Sequence, residues 1–268
     1  MNNNPIGILD SGVGGLTVLK AIAKELPDES FVYIGDSANT PYGSKSKEEI
    51  CARTSKLVDF LISKQVKLIV VACNSSTVSC LEELRKEYPD MPFIGTVPVI
   101  KTAAAVSKNR RIGVLSTTTT AKSDYQKRLI EEFASDCTVF SHGSDDLVPL
   151  IERGKERSEE MTHVLTKVLK PFQEEGIDAL VLGCTHFPFV EDQMQDIMGK
   201  DVQLLDSGGA IARQVRRVLE QNNSLAGEHP QTISIFTTGS IDIPKKLLQD
   251  TFGNKAVEYG TYAYEYNN

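Results

Sequence analysis

The sequence predicts an α/β protein of two similar parallel-sheet domains, each doubly wound and flavodoxin-like, facing each other across a cleft. Three observations predict it. Short runs rich in β-branched and leucine-type residues alternate with amphipathic stretches, the signature of βαβ units. The runs lack polar alternation, as expected of strands buried on both faces of a parallel sheet. Finally, the chain repeats one plan. IGILDSGVGG opens the first half and IGVLSTTTTAK the second, and each half then reaches an apolar run ending in cysteine, LIVVACNSST at 68–77 and ALVLGCTHFP at 179–188.

The elements follow in order. Strands are expected at 6–10, 31–36, 68–72, 93–97, 112–116, 137–141, 179–183, 202–206 and 233–239. Amphipathic helices lie between most of them. LTVLKAIAKEL (16–26), EEICARTSKLVDFLISKQ (48–65) and DYQKRLIEEFA (124–134) place apolar residues at three- and four-residue spacing. The repeat divides the chain into a first domain of residues 1–97 plus 208–268, carrying Cys73, and a second of 98–207, carrying Cys184. The closing TYAYEYNN reads as an exposed tail.

Composition narrows the function. The 268 residues are 40% hydrophobic and 24% charged, ordinary for a folded globular chain. A net charge of −7 argues against nucleic acid or anionic lipid as the main partner. Lys108, Arg110 and Arg111 form the densest basic cluster, which reads as a solvated turn before a strand. No run approaches the roughly 18 apolar residues of a membrane span. The opening MNNNPIGILDSG has no charged segment followed by an apolar stretch, so a cytoplasmic chain is expected. Five cysteines, at 51, 73, 80, 137 and 184, include no CxxC pair, so neither a disulfide framework nor a zinc ribbon is indicated and reduced thiols are expected.

Cys73 and Cys184 each fall at the carboxyl end of a strand, the edge where open α/β sheets place their ligands. One buried cysteine is unremarkable; two in matching contexts suggest two-sided chemistry. DSGVGG at 10–15 is suited either to turning backbone N–H groups toward an anion or simply to a tight turn with Ser11 as a helix cap. Asp10, a carboxylate at a strand end, could orient an amine or tune a thiol. In GDSANTPYGSKS, Pro41 and Gly43 fix a loop in which Tyr42 could wall a pocket, although a plain solvent loop fits as well. STTTTAKS at 116–123 offers hydroxyls for an anion or for helix capping. His186, two residues after Cys184, could lower that thiol's pKa or exchange a proton with it. Glu152 is a possible second carboxylate nearby. The remaining histidines, 142, 163 and 229, read as structural or surface residues.

Two opposed thiols suit epimerisation at a carbon acid, where one base removes a proton from one face and a conjugate acid delivers one to the other. A thiol hydrolase needs a single nucleophile with an orienting His and Asn or Asp, and stays open on sequence alone.

At these residues the chain resembles the aspartate/glutamate racemase family, and within it the glutamate racemases. DSGVGG, PYG, ACN at 72–74 and GCTHFP at 183–188 stand in that family's order and spacing along nearly the whole chain. The resemblance implies interconversion of L- and D-glutamate without cofactor or metal, supplying D-glutamate for peptidoglycan. It assigns Cys73 to the D-enantiomer's proton and Cys184 to the L-enantiomer's, with Asp10, His186 and Glu152 assisting. Substrate contacts are implied at Asp10, Ser11, Tyr42, Gly43, Asn74, Ser75, Thr185 and His186, with Thr117 and Thr120 added. It also implies a homodimer. The family usually has threonine then alanine after CysAsn, where this chain has Ser75 and Ser76, which leaves room for a different substrate range. An aspartate or broad-specificity racemase is therefore one alternative. A two-lobed small-ligand binding module, with ordinary buried cysteines, is the other.

Overall fold

The structure is a computed structural model describing residues 1–248, 252 and 257–264. It divides into two compact units, Met1–Thr96 with Gly208–Asn268, and Val97–Ser207. Both are α/β with a wholly parallel sheet.

The first unit runs β1 (Ile6–Asp10), α1 (Leu16–Glu25), β2 (Phe31–Gly35), α2 (Lys47–Ser63), β3 (Leu68–Val71), α3 (Asn74–Glu87) and β4 (Phe93–Gly95). The second runs α4 (Ile100–Val106), β5 (Arg111–Ser116), α5 (Thr118–Lys122), α6 (Asp124–Phe133), β6 (Thr138–Gly143), α7 (Leu147–Glu152), α8 (Glu159–Glu174), β7 (Ala179–Gly183), α9 (Glu191–Met198) and β8 (Gln203–Leu205). The chain then completes the first unit with α10 (Gly208–Gln221), β9 (Ile233–Thr237), α11 (Asp242–Leu248) and β10 (Val257–Thr261).

Strand order is β10-β9-β2-β1-β3-β4 in the first sheet and β6-β5-β7-β8 in the second. The segment β2-β1-β3-β4 therefore matches β6-β5-β7-β8, so the repeat seen in the sequence is a repeat of topology. In each, the chain winds outward on one side and then reverses, which leaves a switch point between β1 and β3 and between β5 and β7. Such points open a crevice at the carboxyl edge, because the loops on either side leave in opposite directions. Every residue of β1, β2, β3 and β7 is buried, as the unalternated apolar runs require.

Two glycines let the first switch point close tightly. A Cβ at Gly35 would lie 2.2 Å from the Gly12 carbonyl oxygen, and one at Gly15 would lie 2.8 Å from the Asp10 Cβ. The Tyr33 hydroxyl donates to the same Gly12 carbonyl at 2.6 Å, pinning the turn against β2.

Three local expectations are corrected. Cys51 of α2 and Cys80 of α3 form a disulfide, whereas Cys73, Cys137 and Cys184 are free; the packing of α2 on α3 brings together cysteines that no short spacing had paired. Ser11 does not cap α1, whose N-cap is Gly15 without a side-chain bond. TYAYEYNN is not wholly an exposed tail. Thr261 ends β10, Tyr262 and Tyr264 pack against the first core, and 265–268 lie outside the described residues. Lys108 donates its backbone N–H to Asp178, and Arg110 and Arg111 pair with Asp136 and Glu175, so the basic cluster is tied to neighbouring carboxylates. No helix among the described residues is long and apolar enough to cross a membrane.

Candidate functional site

In the first unit the switch point brings Asp10 and Cys73 to the ends of neighbouring strands, since β1 and β3 pair in register through Leu9 and Val71. Asp10 is fully buried and accepts the Gly12 N–H at 2.9 Å. Cys73 is the N-cap of α3, and its sulfur accepts the Ser76 N–H at 3.5 Å. A helix start favours a thiolate, because its unpaired N–H groups concentrate positive potential there. Other influences oppose ionisation. Burial pushes the Cys73 thiol up and the Asp10 charge adds to this, while the Ser76 N–H and the hydroxyls of Ser11 and Ser76 pull it back only in part.

The first turn of α3 is buried throughout, Asn74, Ser75, Ser76 and Thr77 alike. The Asn74 amide nitrogen reaches the Thr96 carbonyl at 3.4 Å, but its side-chain oxygen is buried with no hydrogen-bond partner. Buried polar atoms are rarely left unpaired. An acceptor beside the thiol suits a ligand's ammonium.

Tyr42 and Gly43 are also buried, which decides against a plain solvent loop. The Tyr42 hydroxyl donates to Asp36 Oδ2 at 2.7 Å. Burial first, then the Asp36 charge, raises its pKa well above the usual phenol value, so Tyr42 stays a neutral donor. Asp36, fully buried, also accepts from Asn39 at 2.8 Å and from Thr238 and Tyr264 at 2.7 Å each, with Arg53 4.0 Å away. The sequence reading missed Asp36. Its signal was available: it follows β2 just as Asp10 ends β1.

In the second unit β5 and β7 pair in register through Ser116 and Gly183, setting Thr117 beside Cys184 at the sheet edge. Thr117 and Thr120 are buried and their hydroxyls lie 3.1 Å apart; Thr117 is the N-cap of α5 but makes no side-chain capping bond. Cys184 and Thr185 are buried, and Cys184 Sγ lies 3.8 Å from His186 Nδ1. His186 Nε2 lies 2.6 Å from Glu152 Oε1 at the end of α7. Burial alone would lower the imidazole pKa, but hydrogen bonds to Cys184 and Glu152 outweigh it and hold the pKa well above its usual value. A protonated ring donates at both nitrogens, to the sulfur and to the carboxylate.

Thus the expected residues fall into two clusters: Asp10, Ser11, Tyr42, Gly43, Cys73, Asn74 and Ser75 in the first unit, and Thr117, Thr120, Glu152, Cys184, Thr185 and His186 in the second. No group of three or more His, Cys, Asp or Glu residues capable of holding a metal occurs among the described residues.

The family model described as Asp/Glu/Hydantoin racemase matches residues 6–215, a span that includes both clusters. A glutamate racemase of Pseudomonas paraeruginosa is 39% identical over 251 residues, covering 94% of this chain and 95% of its own. A glutamate racemase isoform of Bacillus anthracis superposes with a TM-score of 0.88 at 33% identity, covering 98% of each chain. The Escherichia coli glutamate racemase, solved with L-glutamate and the activator UDP-MurNAc-Ala, gives 0.84 at 33% identity over 96% of this chain and 98% of its own. With both thiol clusters inside the matched span and likeness running the length of the chain, the protein belongs to the aspartate/glutamate racemase family of isomerases.

Proposed function

We propose that this chain interconverts L- and D-glutamate without a cofactor, with Cys73 and Cys184 as the two acid–base groups at the α-carbon. The observation that carries the reading is the recurrence of a buried free thiol at the same topological position of both units, each supplied with its own polar apparatus. The glutamate racemases it resembles over nearly their full length supply the substrate.

For L-glutamate, Cys184 is the base and Cys73 the acid. The His186 imidazolium stabilises the Cys184 thiolate, and Glu152 holds the ring in place. Cys73, kept protonated by burial and by Asp10, delivers its proton to the opposite face. The D-enantiomer runs the same steps in reverse, with the Cys73 thiolate supported by the Ser76 N–H and the Ser11 hydroxyl. The α-ammonium is assigned to Asp10 and the unpaired Asn74 oxygen; the carboxylates are assigned to the hydroxyls of Ser11, Ser75, Thr117, Thr120 and Thr185, with the Tyr42 hydroxyl and the N–H of Gly43. A thiolate with a pKa near 8.5 is a weak base toward an amino-acid Cα–H. Donors placed in advance on the developing carbanion's carboxylate, in a site without bulk water, lower that barrier.

The cellular part of the proposal is a cytoplasmic homodimer supplying D-glutamate for peptidoglycan. Its support is the resemblance. Sedimentation of the purified protein tests the dimer, and D-glutamate rescue of a strain depleted of it tests the supply role.

Proton NMR with L-glutamate in D2O, without added cofactor, tests the chemistry. The expected result is loss of the Cα proton signal together with decay of circular dichroism. Absence of both with glutamate, but activity on aspartate or a wider panel, would replace the substrate assignment. Ligand binding that survives Cys73→Ser and Cys184→Ser, with no turnover in the parent, would indicate a binding module.

A further inference from the structure

Ser76 sits in the first turn of α3, fully buried, with its backbone N–H on the Cys73 sulfur. Its hydroxyl has two neighbours. It lies 3.1 Å from Thr54 Oγ1 of α2, and it stands on the same residue whose N–H meets the Cys73 sulfur, where it favours the thiolate. Thr54, likewise fully buried, carries one hydroxyl proton, and its nearer acceptor is the Ile50 carbonyl at 2.7 Å. A hydroxyl that directs its proton to a helix carbonyl still has lone pairs to offer. The Ser76 proton can therefore point toward Thr54 or toward the sulfur, among buried groups where either bond is strong.

We propose that Ser76 is a positioning residue for Cys73, its hydroxyl rotating from Thr54 to the sulfur when Cys73 gives up its proton and back when the proton returns. This rests on the two-thiol reading above and deepens it, by giving one of the two thiols a switchable donor. The helix-start N–H stabilises the thiolate but cannot turn away; the hydroxyl can serve both protonation states, because it always has an acceptor. The titratable groups facing this sulfur are Asp10 from the end of β1 and Tyr42 from the loop after β2. Asp10 opposes the thiolate, so a donor that appears only on ionisation offsets that opposition when it matters. In the second unit the imidazole of His186 fills the corresponding need with a charge.

The test is the pH dependence of iodoacetamide labelling at Cys73 and Cys184, resolved by peptide mass spectrometry, in the parent, Ser76→Ala, Ser76→Thr and Thr54→Val. This readout needs no turnover, so it stands even if the racemase reading fails. Ser76→Ala is expected to raise the Cys73 midpoint by about one pH unit, a roughly tenfold drop in labelling rate below the midpoint, with Cys184 unmoved. Ser76→Thr, which keeps the hydroxyl, should restore the parent midpoint. Thr54→Val removes the competing acceptor and should leave the midpoint at or below the parent value. It serves as the deciding variant if Ser76→Ala does not fold. The proposal is overturned if Ser76→Ala leaves the Cys73 midpoint in place, if both cysteines shift together, or if Thr54→Val raises the midpoint. In the racemisation assay, Ser76→Ala should lose turnover near neutral pH and regain it as pH rises, whereas damage to packing alone would depress it at every pH.

Discussion

The two thiol clusters occupy equivalent positions in two copies of one topology, yet each handles its sulfur differently. Around Cys73 the partners are neutral donors and one opposing carboxylate: the Ser76 N–H, hydroxyls, and Asp10. Around Cys184 the partner is an imidazole backed by a buried carboxylate, at 3.8 and 2.6 Å in turn. Neutral donors leave a buried thiol protonated until alkaline pH, whereas an imidazolium ion can hold a thiolate near neutrality. The difference teaches that the fold fixes only where each sulfur stands. The residues after it decide what surrounds it: neutral donors and an opposing carboxylate in one unit, an imidazole–carboxylate pair in the other.

The largest test removes either sulfur. Cys73→Ala and Cys184→Ala should each lower racemisation about a thousandfold or more, the scale on which a lost acid or base is felt. Because L- and D-glutamate are enantiomers, their equilibrium constant is unity and kcat/KM must match in the two directions for every variant. Directional information comes instead from solvent exchange. Cys73→Ala should retain slow Cα exchange with L-glutamate only, and Cys184→Ala with D-glutamate only. Exchange of the same enantiomer by both variants would abolish the assignment of faces.

Next in size is the imidazole pair. His186→Asn should cost about a hundredfold in kcat/KM and Glu152→Gln about tenfold. The Glu152 carboxylate helps hold the imidazole pKa above its usual value, so its neutralisation lowers that pKa. The imidazolium is then lost at lower pH, and the alkaline limb of kcat/KM should move down in both directions alike. Stability follows the same sign. A raised histidine pKa stabilises the fold fully below the unfolded value near 6.5 and the benefit disappears as pH rises through the folded value. The parent should therefore lose its stability advantage over Glu152→Gln as the solution becomes alkaline; a constant difference between their melting temperatures across pH would show that the pair carries no charge.

A smaller effect compares the sulfurs directly. They are similarly buried, 4% exposed at Cys73 and 6% at Cys184, so access does not separate them. Near neutral pH, iodoacetamide should label Cys73 about tenfold more slowly than Cys184, because burial and the Asp10 charge push the Cys73 thiol up, only the thiolate reacts, and the cationic neighbour His186 stands beside Cys184 alone. Equal rates would mean that the two environments, for all their chemical difference, impose the same ionisation.

What the sequence made legible follows from range. β1, β3, β5 and β7 were readable because a strand buried on both faces leaves an unbroken apolar run, and Cys73, Asn74, Cys184 and His186 were readable because they follow such runs directly. β10 was not: VEYGT is a half-buried edge strand with no such run. Long-range partners were equally hidden. Glu152 was suspected near His186, but across 34 residues nothing in the sequence gave the bond between them, and the Cys51–Cys80 pair is separated by 29 residues without a recognisable motif. Asp36 escaped because its site lies in its partners. Tyr264, the farthest, is 228 residues away.

That last contact sharpens the comparison at its smallest scale. Each unit buries a carboxylate near its thiol cluster, but Glu152 touches the group that touches sulfur, whereas Asp36 holds Tyr42 and shares its charge among four donors. Tyr264→Phe removes one of those four and leaves Asn39, Tyr42 and Thr238 on the carboxylate. It should destabilise the protein by about 1 kcal/mol, the usual worth of a lost buried hydrogen bond, while changing turnover by less than about threefold. Melting temperature and steady-state kinetics on the same preparation check this. A turnover loss as large as that of Glu152→Gln would mean that the C-terminal tyrosine acts on the reaction through Tyr42, and the first unit would then rely on a charged relay as much as the second.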